Sequence, residues 1–344
     1  MFSNFADSCQ NYRQQFDLGV KEGKEISMKK RVFSGIQPTG VVHLGNYIGA
    51  LKNWVAMQEE YDCLYCIVDL HAITVPQNPE ELHNSILRTA ATTLAVGVDP
   101  TKSLLFVQSD VPEHAELAWI LNCFVYYGEL GQMTQFKDKA KIRGVGTSTG
   151  LFTYPVLMTS DILLYNTHAV PVGDDQRQHL ELSRLTARRI NKQYPNFFIV
   201  PQPFIGTKGA RIMGLDDPTA KMSKTASTEM NYISFSDSPD VIRKKIKRAV
   251  TDSGSEIEYD EEKKPAISNL LSIYSGLTGE TTDALVSKYK GKGYGDFKKE
   301  LAEVVVDVLG PIQKKTDSIL TDKATLQKQL KWALKKPATS PAPK

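Results

Sequence analysis

Four cysteines in 344 residues, a near-balanced charge and no apolar run long enough to span a bilayer are the first constraints on this chain. So thin a cysteine content excludes a disulfide-stapled scaffold, and it fits a reducing compartment. Cys63 and Cys66 have the spacing of half a metal or redox motif. They fall in a strand-like run, Leu64-Tyr65-Cys66-Ile67-Val68, where an odd separation sends two side chains to opposite faces. No second pair accompanies them, so a role in the core is the expectation and no metal site is assigned. Charge of one sign is missing as well: 42 Lys and Arg against 39 Asp and Glu leave a net charge of +3. No bulk field draws such a chain to nucleic acid, and a nucleic-acid partner must be met by a local basic face. Residues 1–28 have neither the apolar run of a signal peptide nor, with Asp7, Asp17, Glu22 and Glu25, the acid-poor character of a transit peptide. They read as a poorly ordered appendage. Met28, just before Lys29-Lys30-Arg31, is a candidate start whose use mass spectrometry of the native N-terminus decides.

What is present is alternation. Strands are expected near 31–35, 63–69, 103–108 and 168–172, with helices near 46–60 and 79–96 between them and another from Gly173-Asp174-Asp175-Gln176 to about Tyr194. Such alternation predicts an α/β fold with a parallel sheet. Apolar helical patterns over 113–127 and 154–166 interrupt it, and the basic run 137–143 with the Gly/Ser/Thr stretch 144–150 between them is expected to be mobile and exposed. After Gly206 comes a long loop ending in Lys221-Met222-Ser223-Lys224-Thr225. From 238 onward the chain reads as helices over 239–251, 265–277, 281–290, 294–317 and 322–335, before a Pro/Ala/Ser-rich tail.

One stretch organises the rest. An apolar strand ends at Gly35, a turn-rich loop follows with Gln37, Pro38, Thr39 and Gly40, and His43-Leu44-Gly45-Asn46 opens a helix. Strand, glycine-bearing loop and helix N-terminus is the geometry that holds a nucleotide in an open parallel sheet. Gly45 admits a flat base or ribose close to the backbone, and His43 and Asn46 add donors.

His43-Leu44-Gly45-Asn46 and, well downstream, Lys221-Met222-Ser223-Lys224-Thr225 resemble the two signatures of class I aminoacyl-tRNA synthetases. The likeness narrows further. Ser34-Gly35-Ile36-Gln37-Pro38-Thr39-Gly40, Cys66 to Thr74, Met133-Thr134-Gln135-Phe136-Lys137, Asp161-Ile162-Leu163-Leu164-Tyr165, Gly173-Asp174-Asp175-Gln176 and Gly209-Ala210-Arg211-Ile212-Met213 resemble the bacterial-type tryptophanyl-tRNA synthetases over about residues 30–335. Asn46 stands where the wider class usually has His, and Thr225 where it has Ser; the hydroxyl is kept. The resemblance implies a Rossmann-like doubly wound sheet over 29–225 with a helical insertion near 109–167. It implies a C-terminal helical tRNA-binding domain over 226–335, with 336–344 a disordered tail.

The resemblance also implies a chemistry: tryptophan and ATP give tryptophanyl-adenylate and pyrophosphate, and the tryptophan passes to tRNA(Trp). Such a reaction needs no protein nucleophile, only positioned anions and neutralised charge. Lys221, Lys224, His43 and Lys139 are the candidate catalytic residues, the lysine loop acting as a lid on the phosphates. Gln37, Pro38, Thr39, Gly45, Asn46, Gly173, Asp174, Asp175 and Ile212, with Met222, Ser223 and Thr225, are expected at ATP, Asp175 toward the ribose and Ile212 over the adenine. Mg2+ is expected to ride on the phosphates, with no protein cage. Asp161 sits among Leu157, Ile162, Leu163 and Leu164, where a carboxylate needs a partner. The resemblance makes that partner the indole N–H. Phe33, Met158, Val170 and Val172 would wall the ring, His71 close the pocket, and Tyr154 and Gln176 take the α-amino group.

Asp161 alone does not exclude a phenol, so a tyrosyl enzyme stays open, as do a tRNA-independent nucleotidyltransferase and a non-catalytic binding module. The helical tail of over ~100 residues argues against the transferase, and intact Lys221, Lys224 and Asp161 against the last. The run Arg243-Lys244-Lys245-Ile246-Lys247-Arg248 places like charges at i,i+4, a cost that an anionic partner such as tRNA, or solvent, would offset. A homodimer and a cytoplasmic, membrane-free location complete the expectations.

Overall fold

The computed structural model describes residues 29–143, 147–173, 176–204, 211–223 and 228–333. The appendage 1–28, the tail and Asp174, Asp175, Lys224 and Thr225 lie outside the described residues, as does the side chain of Lys139. Five parallel strands form one sheet: β1 (Arg31–Ile36), β2 (Asp62–Ile67), β3 (Leu104–Val107), β4 (Ala169–Val170) and β5 (Gln202–Pro203), in the order β3-β2-β1-β4-β5. The order reverses direction between β1 and β4, which makes their carboxyl ends the place for a ligand in a doubly wound sheet. β5 was not foreseen; Pro203 and a length of two residues leave it no periodic signature.

Alternation along the strands sorts the core into two clusters. Val32, Cys63, Tyr65, Ile67, Leu105 and Val107 face one side, and Phe33, Leu64, Cys66 and Phe106 face the other. The two thiols thus lie on opposite faces, as their odd spacing requires. On the first side pack α1, which opens at Leu44–Asn46, passes through a π-turn over Tyr47–Leu51 and continues over Lys52–Met57, and α3 (Pro79–Val96); α2 (Asp69–Ala72) is a single turn beyond β2. On the second side lie α4 (Glu113–Asn122), α5 (Tyr127–Gly131), α6 (Thr134–Arg143), α7 (Thr149–Leu163) and α8 (Arg177–Gln193). α4 to α7 are the helical insertion.

α6 corrects an expectation. The basic run 137–143 is helical rather than a mobile loop. Its first turn is held from a distance, because Gln178 Oε1 accepts from the Thr134 N–H at 2.9 Å and from its hydroxyl at 3.0 Å. The stretch 144–146 lies outside the described residues.

The remaining helices are α9 (Pro239–Arg248), α10 (Pro265–Thr278), α11 (Thr282–Lys288), α12 (Tyr294–Leu320) and α13 (Lys323–Ala333). α12 packs along α3, α13 covers the edge strand β3, and the first core cluster runs without a break from the sheet into these helices through Ile242, Ile267, Leu270, Leu301 and Leu330. The basic run on α9 does not stand free. Arg243 pairs with Glu303 at 2.8 Å, and Lys245 is buried and paired with Asp237 at 2.6 Å. The chain's own carboxylates thus offset part of the like-charge cost. No helix among the described residues is long and apolar enough to cross a membrane.

Candidate active site

The first signature is a helix start. The peptide N–H of Asn46 donates to His43 Nδ1 at 3.3 Å, and the His43 N–H donates to Asn46 Oδ1 at 3.1 Å, a reciprocal cap. An Nδ1 that accepts leaves the neutral ring's proton on Nε2, a donor. Burial, and then the nearby Lys221 ammonium, push the His43 pKa down to about 4. The turn before it needs Gly40, whose φ is +88°. Pro38 is buried, while Gln37 and Thr39 are exposed at the mouth of the loop.

The second signature lies against the first. Residues 212–214 and 220–222 form a short antiparallel ribbon: the Met222 N–H donates to Ile212 O at 3.0 Å, the Gly214 N–H to Ala220 O at 2.9 Å, and Met213 bridges Lys221. Met222 and Ile212 are buried and Lys221 is exposed. A Cβ on Gly45 would lie 3.1 Å from the His43 ring and 3.4 Å from Met222 Cβ. Gly45 therefore lets the two signatures close on each other, besides leaving the backbone open to a ligand. A third segment backs both: His43 bridges Ser234, Leu44 N–H donates to Ile233 O and Phe235 N–H to Val42 O, each at 2.9 Å.

On the other face of the sheet, Asp161 is 1% exposed. It stands on α7 in line with Tyr154 and Met158, whose spacings of four and three put all on one helix face, and Tyr165 lies in the turn just past the helix end. Its partners come from three separate segments. His71 Nε2 on α2 is 2.8 Å from Oδ2; Gln108 Nε2, just past β3, donates to Oδ1 at 2.7 Å; His114 Nδ1 on α4 is 2.6 Å from Oδ1. His114 Nε2 meets the Tyr165 hydroxyl at 2.8 Å, and Gln108 Oε1 accepts from the Leu70 N–H at 3.1 Å. Burial works against the carboxylate, but His114 and then His71 overcome it and hold Asp161 below the usual carboxylate range. The carboxylate is therefore ionised at neutral pH and fixed in place before any ligand arrives. Gln108, His114 and Tyr165 were not foreseen from the sequence.

Phe33 and Val170 are buried beside this group, Met158 and Val172 partly so, and Gly173 is exposed at the end of β4. The Tyr154 hydroxyl lies 2.8 Å from His179 Nε2 and 3.2 Å from Gln135 Oε1, and its ring meets the His71 ring edge-on at 6.1 Å. Burial pushes the Tyr154 pKa up to about 12, so the phenol stays protonated. Gln176 closes a turn onto Gly173 O at 3.0 Å. Two half-sites thus flank the carboxyl ends of β1 and β4, one rich in amides and a lysine, the other a mainly apolar cluster around one buried carboxylate.

A nucleotide-binding doubly wound sheet with a capped His-x-Gly-Asn helix and a docked Lys-Met-Ser ribbon defines a class I synthetase core. The sequence model of the family tRNA synthetases class I (W and Y) matches residues 26–310. The chain belongs to that family. It is 58% identical over 285 residues, 83% of this chain and 87% of the relative, to the tryptophan–tRNA ligase of Caldanaerobacter subterraneus subsp. tengcongensis. It is 52% identical over 308 residues to that of Clostridium tetani, covering 90% and 91%. Among solved structures, tryptophanyl-tRNA synthetase from Mycoplasma pneumoniae superposes with a TM-score of 0.77 at 37% identity, over 89% of this chain and 96% of that one. The Campylobacter jejuni enzyme complexed with ADP and tryptophan gives 0.75 at 37% identity, over 88% and 93%.

Proposed function

We propose that this chain is a tryptophan–tRNA ligase, and that Asp161 selects its amino acid. The observation that carries the specificity is the buried, ionised Asp161 set among apolar side chains. With His71 on Oδ2, and Gln108 and His114 on Oδ1, the carboxylate has acceptor capacity left on Oδ2. An indole N–H satisfies it. A ligand without a donor there leaves a buried anion under-solvated, which is the physical basis of strong discrimination. Phe33, Met158, Val170 and Val172 wall the indole, His71 closes the pocket, and Tyr154 and Gln176 take the α-ammonium group.

ATP lies across the carboxyl ends of β1 and β4. His43, Gly45 and Asn46 meet it with Gln37, Pro38 and Thr39; Asp175 receives the ribose, Gly173 and Asp174 belong to the same part of the ATP site, and Ile212 lies at the adenine. The tryptophan carboxylate oxygen attacks the α-phosphorus, the bond from that phosphorus to the bridging oxygen breaks, and pyrophosphate leaves with its electron pair. Neutral His43 donates from Nε2, Lys221, Lys224 and Lys139 neutralise the charge that builds on the leaving group, and the Ser223 and Thr225 hydroxyls add donors to it. Mg2+ would be carried by the ATP phosphates and would offset part of their charge there. A terminal ribose hydroxyl of tRNA(Trp) then attacks the acyl carbonyl and releases AMP. A cytoplasmic homodimer is part of this proposal, and the exposed aromatics of the insertion support the dimer.

The test is ATP–pyrophosphate exchange with tryptophan, tyrosine and phenylalanine in parallel. Exchange is expected with tryptophan, and Asp161→Asn, which keeps the shape, is expected to lower kcat/KM for tryptophan by about a hundredfold or more. Exchange with tyrosine in the wild type would overturn the specificity and leave the fold and chemistry standing.

A further inference from the structure

The ribbon that carries Lys221 has one edge facing away from its partner strand. Ile212 O and the Gly214 N–H are taken by residues 220–222, so the N–H and C=O of Met213, between them, point the other way. Among the described residues no strand lies there. The side chain of Asn269, on α10, takes that place. Its Oδ1 accepts from the Met213 N–H at 2.8 Å, and its Nδ2 donates to Met213 O at 2.9 Å and to Gly214 O at 3.3 Å. A side-chain amide carries the same donor and acceptor as a peptide group, so Asn269 acts as one residue of a third strand. It is 5% exposed, where water offers no substitute for these bonds. A ribbon this short has little stability of its own.

Two turns further along the same face of α10, Gly276 sits against α1. A Cβ there would lie 2.5 Å from Ile48 Cγ2, and Gly276 O accepts from Lys52 Nζ at 2.7 Å. One face of one helix therefore grips both the helix that His43 caps and the ribbon that carries Lys221. We propose that Asn269 is a positioning residue for the adenylation step: it sets where Lys221 stands relative to His43. The inference rests on Lys221 acting at the phosphates, and it adds that the C-terminal helices, through α10, hold the two signatures in register.

The experiment measures pyrophosphate exchange at saturating tryptophan on Lys221→Ala, Asn269→Ala, Asn269→Asp and Ser272→Ala in the full chain. Asn269→Asp keeps the shape and the acceptor for Met213 N–H but sets a carboxylate against two carbonyls, so the melting temperature of both variants is measured beside their activity. Ser272, on the same helix, has only a 3.4 Å contact to Tyr259 Oη and is the control. The expected result is a fall in kcat of about tenfold or more for both Asn269 variants, since a small misplacement of a charge-neutralising group costs that much. KM for tryptophan and the Ser272→Ala rate should not move. A second readout follows His43 by NMR titration: with Lys221 displaced, its pKa should rise in Asn269→Ala as in Lys221→Ala. A merely structural Asn269 would lower the melting temperature and move neither reading. Inactive Lys221→Ala beside fully active, folded Asn269 variants with an unmoved His43 would overturn the inference alone. Fully active Lys221→Ala would overturn the phosphate reading and the inference with it.

Discussion

His43 is held neutral by burial and by Lys221, and the sign of its effect on stability follows. Its folded pKa of about 4 lies below the ordinary imidazole value of about 6.5. Between those two the unfolded chain takes up a proton that the folded one does not, so this contribution is complete above pH ~6.5 and is lost as the pH falls toward 4. Urea melts of wild type and His43→Gln at pH 7 and pH 5 should show a smaller pH-dependent loss in the variant. Asp161 behaves differently: its depressed pKa keeps its contribution in place until the pH drops below about 4, so it adds no titration in the neutral range. Gly45→Ala is expected to raise KM for ATP several-fold, because the added methyl lies 3.1 Å from the His43 ring and must push it or Met222 aside. His43, Gly45, Asn46 and Asp161 were legible because each sits in a contiguous motif. Gln108 and His114 were not: they reach Asp161 across 53 and 47 residues of chain, and no local pattern encodes a meeting of three segments.

The elements show the same division between local and distant causes. α3 lies where the sequence places it, near 79–96, since Asn78 caps it, Pro79 opens it and Gly97, at φ +123°, closes it. Nothing local in the sequence marks α6, because its N-terminus is held by Gln178 on α8 rather than by a neighbour in sequence. α9 was read correctly as a helix but incompletely as a charged surface, for Lys245 is only 5% exposed. Asp237 Oδ2 accepts from Lys245 Nζ at 2.6 Å and from the Ser234 N–H at 2.8 Å, and Ser234 is the residue that bridges His43. The Lys245 ammonium also lies 4.9 Å from the centre of the Tyr232 ring, a further contact on the segment behind the site. Removing one partner of such a buried pair leaves the other charge stranded, at about 3–5 kcal/mol. Lys245→Met should therefore lose about 3 kcal/mol or more in denaturant melts. The double variant Lys245→Met, Asp237→Asn should lose less than the sum of the two single changes, the signature of direct coupling.

At the scale of the whole molecule, the two core clusters leave one conspicuous apolar surface unburied. Trp119 on α4 is 73% exposed, Tyr126 62% and Tyr127 81%. Three large aromatics within nine residues of one another on the insertion exceed what scattered surface apolars need, and the two tyrosines are held in place. Arg189 lies 4.1 Å above the Tyr126 ring and pairs with Glu129, while Tyr127 packs on Phe152 at 5.1 Å. A pre-ordered aromatic patch suits a second copy of the chain, because a twofold interface lets each ring count twice. Burying a hot-spot tryptophan is worth about 2 kcal/mol, so Trp119→Ala costs a symmetric dimer about 4 kcal/mol, roughly a thousandfold in its dissociation constant. Light scattering across a dilution series should give a dimer for wild type and a monomer for Trp119→Ala at micromolar concentration, with the melting temperature of the α/β core little changed. A wild-type monomer at high concentration would refute the dimer outright. A dimer indifferent to Trp119 would move the interface elsewhere. Because the patch begins on α4, five residues after the His114 that braces Asp161, dissociation should also weaken tryptophan binding. Measuring tryptophan affinity along the same dilution series links the assembly to the amino-acid pocket, and an affinity that stays constant through the monomer–dimer transition would separate them.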